Sequence, residues 1–399
     1  MDKLITNARA SCEQAAAFKG DPSLEPSAHW REVLARFHYR AFASCRTAQD
    51  LVSFATENNG FVIYRLQDSP HADGIILRYL DWLADAGQSL SGLPQSFVES
   101  PFASSKVLFD WQGRTISTSF LWHLCAAVRL RELCPKPEIV MEIGTGFGGL
   151  ARLMRMALPE TTFLLVDLPE TLVFTDVYLR LNFPELRIGY ISEPTNIDLG
   201  YLHRFDFLLV PNNLIDNLRG LKVDLAINIA SFGEMTQEST NSYLRFIEDE
   251  LHTDALYSIN QYGNFPTDIS AGRGKRLTSG NVCRVALPVN AQWHLKSWHF
   301  LEENSFVQAD PLMAPCLEVF LEKPAGVQHG ADWLAEMALS QSAQAKHYLP
   351  GSSQWHALLW NSLRLDDTCE GANLLREWGR AHDYPEFVQD VASPPVKDG

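Results

Sequence analysis

Residues 138–154, EIVMEIGTGFGGLARLM, constrain this chain more than any other stretch. An apolar run, Ile139–Ile143, breaks at glycines 144, 146, 148 and 149, and a helical pattern begins with Leu150. Glycines at a strand end permit a tight turn and close approach of backbone to a ligand. The helix start that follows presents N–H groups with no partner inside the helix. A strand, a glycine turn and a helix in that order open a βαβ unit, so the segment predicts a parallel sheet.

The surrounding pattern extends the prediction. Short apolar runs recur at Phe163–Val166, Phe205–Val210, Leu225–Ile229 and Leu256–Ile259, with helical stretches at Gly149–Leu158, Glu170–Leu181 and Gln237–Leu251. Such alternation gives an α/β fold, a Rossmann-like sheet with helices on both faces. Two later runs, Trp293–Phe300 and Cys316–Leu321, have no strong helix between them and read as a hairpin closing the sheet edge. Before residue 136 the chain is mainly helical, with apolar spacing over Ser27–Cys45, His71–Ala86 and Thr118–Leu133. After residue 325 it is helical again, at Ala331–His347, Ser353–Leu363 and Cys369–Ala381. The expected organisation is a helical cap over 1–135, a ligand-binding α/β domain over 136–325 and a helical extension over 326–399.

Composition excludes several classes of function. Lys and Arg total 33 against 48 Asp and Glu, a formal charge of −15 with no basic run, which disfavours nucleic acid as a partner. No uncharged apolar stretch reaches the ~18 residues of a membrane span, and the first 20 residues lack a secretory apolar core. The seven cysteines are scattered without a C-x-x-C pair. A cytoplasmic protein with reduced thiols is the expectation, and a homodimer is left open.

The glycine run fits both G-x-G-x-G and G-x-G-x-x-G, so by itself it does not choose between S-adenosylmethionine and NAD. Neighbouring residues do. Phe163–Val166 leads into Asp167, 23 residues after Gly144, where a carboxylate suits the ribose hydroxyls of either cofactor. Glu142, just before the first glycine, suits a cationic methionyl amino group and gains a pyrophosphate nothing. No Tyr-x-x-x-Lys pair for reductase chemistry exists. Methyl transfer therefore ranks above hydride transfer.

Four stretches, EIGTGFGGLARL (142–153), VDLPETL (166–172), DLAINIASFGEM (224–235) and YSINQY (257–262), resemble class I methyltransferases, in particular the sugar O-methyltransferase family. The resemblance covers the central third of the chain well and the flanks weakly. It implies an S-adenosylmethionine-dependent O-methyltransferase of secondary metabolism, acting on a hydroxyl of a sugar or sugar-containing small molecule. A non-sugar hydroxyl or nitrogen acceptor, or a non-catalytic cofactor-binding scaffold, are the alternatives. Its expected cofactor contacts are Glu142, Gly144, Gly146, Gly148, Asp167, Leu168, Pro211 and Asn228, with Asn212 beside Pro211 at the base edge. Glu234 is the first choice for a general base, the alternative being that it caps the helix starting near Thr236. His123 is the second choice of base and His299 a lesser one. Ser231 and Asn260 are expected at the acceptor, and Ser117 and Ser119 at the methionyl end. No metal is expected, because no second carboxylate pairs with Glu234 by spacing.

Overall fold

The computed structural model describes residues 2–35, 44–47, 50, 53–54, 72–103, 108–111, 113–261, 293–301, 316–323, 332–347, 350, 355, 358–359, 362–363, 366 and 368–382. The chain divides into two compact units. The first holds residues up to Asn228 together with Phe246–Thr253, and the second holds Ile229–Arg245 and the described residues from Asp254 onward.

In the first unit five parallel strands lie in the order β5-β6-β4-β3-β7, where β3 is Ile139–Ile143, β4 Thr162–Asp167, β5 Ile188–Tyr190, β6 Phe207–Pro211 and β7 Lys222–Ile229. Every residue of β3 and β6 is buried, as is all of β4 except Asp167. This is why they read as unbroken apolar runs: helices cover such a parallel sheet. Burying each Leu, Val or Phe side chain contributes about 1.5–3 kcal/mol. Asp224 fixes the start of the sheet, its Oδ2 accepting from the Glu138 and Ile139 N–H groups at 2.7 and 2.9 Å. Chain order reverses about β3, whose neighbours β4 and β7 are reached in opposite directions. That reversal places a ligand crevice at the carboxyl end of β3.

Helices flank these strands. α4 (Thr118–Leu133) packs on α5 (Gly149–Ala157), and α1 (Asp2–Ala16) packs on α6 (Pro169–Asn182). The remaining elements of the first unit are α2 (Ala28–Ala35), α3 (Ala72–Asp85), the short hairpin β1–β2 (Phe109–Trp111 and Arg114–Ile116) and the single turn α7 (Leu199–Leu202).

In the second unit α8 (Gln237–Arg245) precedes β8 (His252–Gln261, from Asp254 on). β10 (Cys316–Glu322) pairs antiparallel with both β8 and β9 (His294–Leu301), which is the expected hairpin. Helices α9 (Asp332–Ala345) and α10 (Glu370–His382) pack together through Ala338, Ala345, Ala372 and Leu375.

The fold is thus α/β, with a mostly parallel sheet flanked by helices. Three elements depart from the sequence reading. α1, the hairpin β1–β2 and the edge strand β5 are additional, because α1 shows only a thin apolar stripe (Ile5, Ala8 and Ala15 are its buried side chains) and the strands are three residues each. Residues 36–43 of the expected Ser27–Cys45 helix, much of 353–363 and the end of the chain lie outside the described residues. Cys12, Cys45, Cys125, Cys134 and Cys369 form no disulfide. Among the described residues no helix is long and apolar enough to cross a membrane.

The Arg114 guanidinium, 5% exposed, donates to the carbonyls of Leu93, Pro94 and Phe97 and so holds the loop that leads into α4. Arg114→Ala leaves three acceptors short of a charged donor, and urea unfolding should show about 3 kcal/mol less stability.

Candidate cofactor site

The carboxyl ends of β3 and β4 build the site. After Ile143 the chain turns through Gly144, Gly146 and Gly148 at φ +77°, +56° and +88°, left-handed conformations that carry a steric cost for any other residue. A Cβ on Gly146 would meet no heavy atom within 4 Å, so the space beside the backbone there is open. Behind the loop, the Thr175 hydroxyl of α6 donates to Gly146 O at 2.6 Å, and Gly148 N–H closes on Thr145 O. Gly149 begins α5, packed so closely that a Cβ would fall 2.6 Å from both the His123 and Phe147 rings.

Asp167 ties loop to sheet. Its Oδ2 accepts from Gly146 N–H at 2.9 Å and its Oδ1 from Leu168 N–H at 2.7 Å. Both oxygens keep a second lone pair, so ribose hydroxyls could still donate to them. Leu168, half-buried, caps α6 beside this carboxylate, and Pro211 is the register partner of Asp167 on β6. Glu142, 5% exposed, stands on β3 below the turn. Burial, and then the Asp167 charge, push its carboxyl up to about 8, and burial pushes Asp167 up to about 7. Among the described residues, no Lys, Arg or His ion pair involves either acid. Among the described residues, the crevice therefore presents two adjacent carboxyls in no ion pair.

Other expected site residues take different places. Asn228 is fully buried, its amide donating to Ile143 O at 2.9 Å, so it braces the strand end beneath the turn. Asn212, expected near a base edge, donates its amide to Leu24 O at 2.6 Å. Ser117 caps α4, accepting from Phe120 N–H while its hydroxyl donates to the Glu99 carboxyl. Ser119 is buried beside it, its hydroxyl without a partner. His123 lies half-buried on α4, edge-on to Phe147 at 5.7 Å. Desolvation lowers it to about 4, so it is neutral at physiological pH and a weak proton acceptor.

The second unit holds the remaining candidates. Ala230, after β7, has φ +52°, a strained value for a residue with a Cβ. Ser231 N–H, next along, donates to Asn260 Oδ1 at 3.1 Å, and the Asn260 amide donates to Ser258 Oγ at 2.8 Å. Asn260, expected as an acceptor contact, is fully buried, its oxygen on the turn at Ser231 and its amide nitrogen on Ser258 of β8. Glu234 is half-buried, its N–H on Ser231 O at 3.0 Å. The helix cap considered for Glu234 is supplied by Thr236, whose Oγ1 accepts from Ser239 N–H. The His299 side chain lies outside the described residues. Sequence reasoning missed Thr175, whose role depends on its hydroxyl meeting a carbonyl 29 residues away, and no local pattern signals it.

No protein-family model matches the sequence, and no curated protein matches it. Solved structures match in part. The pyocyanin biosynthetic protein PhzM aligns at 11% identity and a TM-score of 0.33, over 52% of this chain and 56% of its own. The methyltransferase domain of bacterial CtHen1-C gives 13% and 0.35, over 51% and 97%. Magnesium protoporphyrin IX methyltransferase from Synechocystis PCC 6803, solved with S-adenosylhomocysteine bound, gives 8% and 0.33, over 51% and 84%. The chain spans about half the length of several of the structures that it matches, PhzM among them.

A carboxyl whose folded pKa lies above its unfolded value holds its proton better in the fold, so stability falls as pH rises between the two values. Glu142 and Asp167 should make the ligand-free protein lose stability from about pH 4.5 to about pH 8. Thermal melts across that range should show a shallower decline for Glu142→Gln than for wild type.

Proposed function

We propose that this chain is an S-adenosylmethionine-dependent methyltransferase whose acceptor is a hydroxyl on a sugar or sugar-containing small molecule. One observation carries the cofactor reading: the adjacent carboxyls of buried Glu142 and half-buried Asp167, on β3 and at the end of β4, beside a glycine turn with open space at Gly146. A pyrophosphate would meet repulsion there, whereas a sulfonium with an ammonium group meets attraction. Ionising a carboxyl that titrates near 8 costs about 1.4 kcal/mol at pH 7. A cation at 4 Å returns about 4 kcal/mol at an effective dielectric of 20, so the attraction prevails.

When bound, S-adenosylmethionine supplies an electrophilic methyl group. Asp167 would hold the ribose hydroxyls, Glu142 the methionyl ammonium, and Leu168 and Pro211 the flanks of the nucleoside. The turn from Gly144 to Gly148 lets the backbone approach closely, and Thr175 and Asn228 keep that turn in place from behind. Glu234, six residues after Asn228 along the chain, is the proposed base that takes the acceptor proton. Asn260 supports it indirectly, by fixing the Ser231 backbone within the same turn. Support for a sugar acceptor is the sequence resemblance at 166–172 and 224–235.

Calorimetry with S-adenosylmethionine, S-adenosylhomocysteine and NAD tests the cofactor; binding of NAD alone overturns the reading. Affinity for S-adenosylmethionine should rise at least about tenfold from pH 6 to pH 8.5, because binding a cation releases protons from Glu142 and Asp167. Gly146→Val should abolish binding, since valine is strained at φ +56° and fills the open space. With labelled cofactor and a panel of nucleotide sugars, free sugars and other metabolites, Glu234→Ala should cut turnover at least about a hundredfold with cofactor affinity little changed. Methyl transfer to non-sugar acceptors alone removes the sugar assignment, and tight binding without any turnover indicates a scaffold.

A further inference from the structure

The amino-terminal segment is bound at the carboxyl end of β6, next to the strand that carries Asp167. Asn212 and Asn213 directly follow Pro211, the register partner of Asp167. The Asn212 amide donates to Leu24 O at 2.6 Å. The Asn213 amide donates to both Ala15 O and Phe18 O, at 2.9 and 2.8 Å. Gly20 passes so close that a Cβ there would lie 2.5 Å from the Asn213 Cα, a separation no other residue permits. Further along the same edge, α1 brings Cys12 near Glu170 and Tyr190, and Gln14 reaches Glu193. Tyr190 in turn donates to Pro169 O, one residue past Leu168.

These contacts lie along the β5–β6 side of the sheet, next to the strand of Asp167. With strands ~4.8 Å apart and ~3.3 Å between residues along a strand, the Asn212 Cα stands roughly 6 Å from the Asp167 Cα. A nucleoside with its ribose on Asp167 and its base directed along the β4–β6 edge would meet the backbone that Asn212 and Asn213 hold. We infer that residues 2–24 form the outer wall of the nucleoside pocket, and that Asn212 and Asn213 are positioning residues that latch this wall onto the sheet. The inference rests on the cofactor reading above and extends it to purine recognition. Two asparagine amides in succession, each on a backbone carbonyl from one remote segment, attach that segment more firmly than helix packing alone requires. Beyond α1, the loop of residues 17–24 contributes the backbone groups nearest the base edge.

The test uses the full chain. Wild type, Asn213→Ala, Asn213→Asp and Gly20→Val are compared for binding of S-adenosylhomocysteine and of adenosine, with thermal melts in parallel. Hydrogen exchange of residues 2–24 is followed with and without S-adenosylhomocysteine. The expected result is slower exchange in 2–24 on binding to wild type. Affinity for both ligands should fall at least tenfold in the three variants, while Asn213→Ala melts within a few degrees of wild type. Asn213→Ser, which keeps one donor, should recover part of the affinity. Unchanged affinity in Asn213→Ala and Gly20→Val, or exchange in 2–24 indifferent to ligand, overturns the wall. Should a variant fail to fold, the exchange measurement on wild type still decides. If wild type binds neither ligand, the cofactor reading itself falls.

Discussion

The hydrogen bond from Gly146 N–H to Asp167 Oδ2 is the constraint around which the site is arranged. It joins the end of β4 to a turn that leaves β3, and so converts two neighbouring strands into one rigid rim. Everything else in the crevice serves that rim. Leu168 N–H holds the other oxygen of Asp167, Asn228 holds Ile143 O beneath, and Thr175 holds Gly146 O behind. An acid that anchors backbone in this way must stay where it is, and burial beside Glu142 then gives the rim its chemistry. Burial holds both carboxyls above their ordinary titration range, and for Glu142 the nearby Asp167 charge adds to it.

Much of this was legible in the sequence, for physical reasons. β3, β4 and β6 are covered on both faces, so they appear as apolar runs, and the turn between β3 and α5 must use glycine because its φ values are positive. Glu142 and Asp167 could be singled out because their distance from those glycines is fixed by the βαβ unit. What escaped notice depends on partners remote in the chain. Asn212 and Asn213 meet carbonyls nearly 190 or more residues earlier, and Asn260 meets a backbone N–H 29 residues earlier. An asparagine carries no local mark that tells which remote backbone group it meets. α1 was hidden for a different reason: its few buried side chains are small or widely spaced, and the rest of the helix is polar.

The two units differ in how they hold polar groups. In the first, several buried polar side chains secure backbone at the crevice or at the loop of Leu93–Phe97, as Arg114 does with three carbonyls. In the second, Ser231, Ser258 and Asn260 secure a turn whose Ala230 would otherwise relax out of its left-handed conformation.

Thr175 bears on the kinetics of this site. Its hydroxyl reaches both Gly146 O and Thr171 O, so the glycine turn is set in place by α6 when the chain folds. The conformational freedom of four glycines, costly to lose, is therefore surrendered during folding and not at each encounter with a ligand. A ligand arriving at this turn then finds its backbone already ordered.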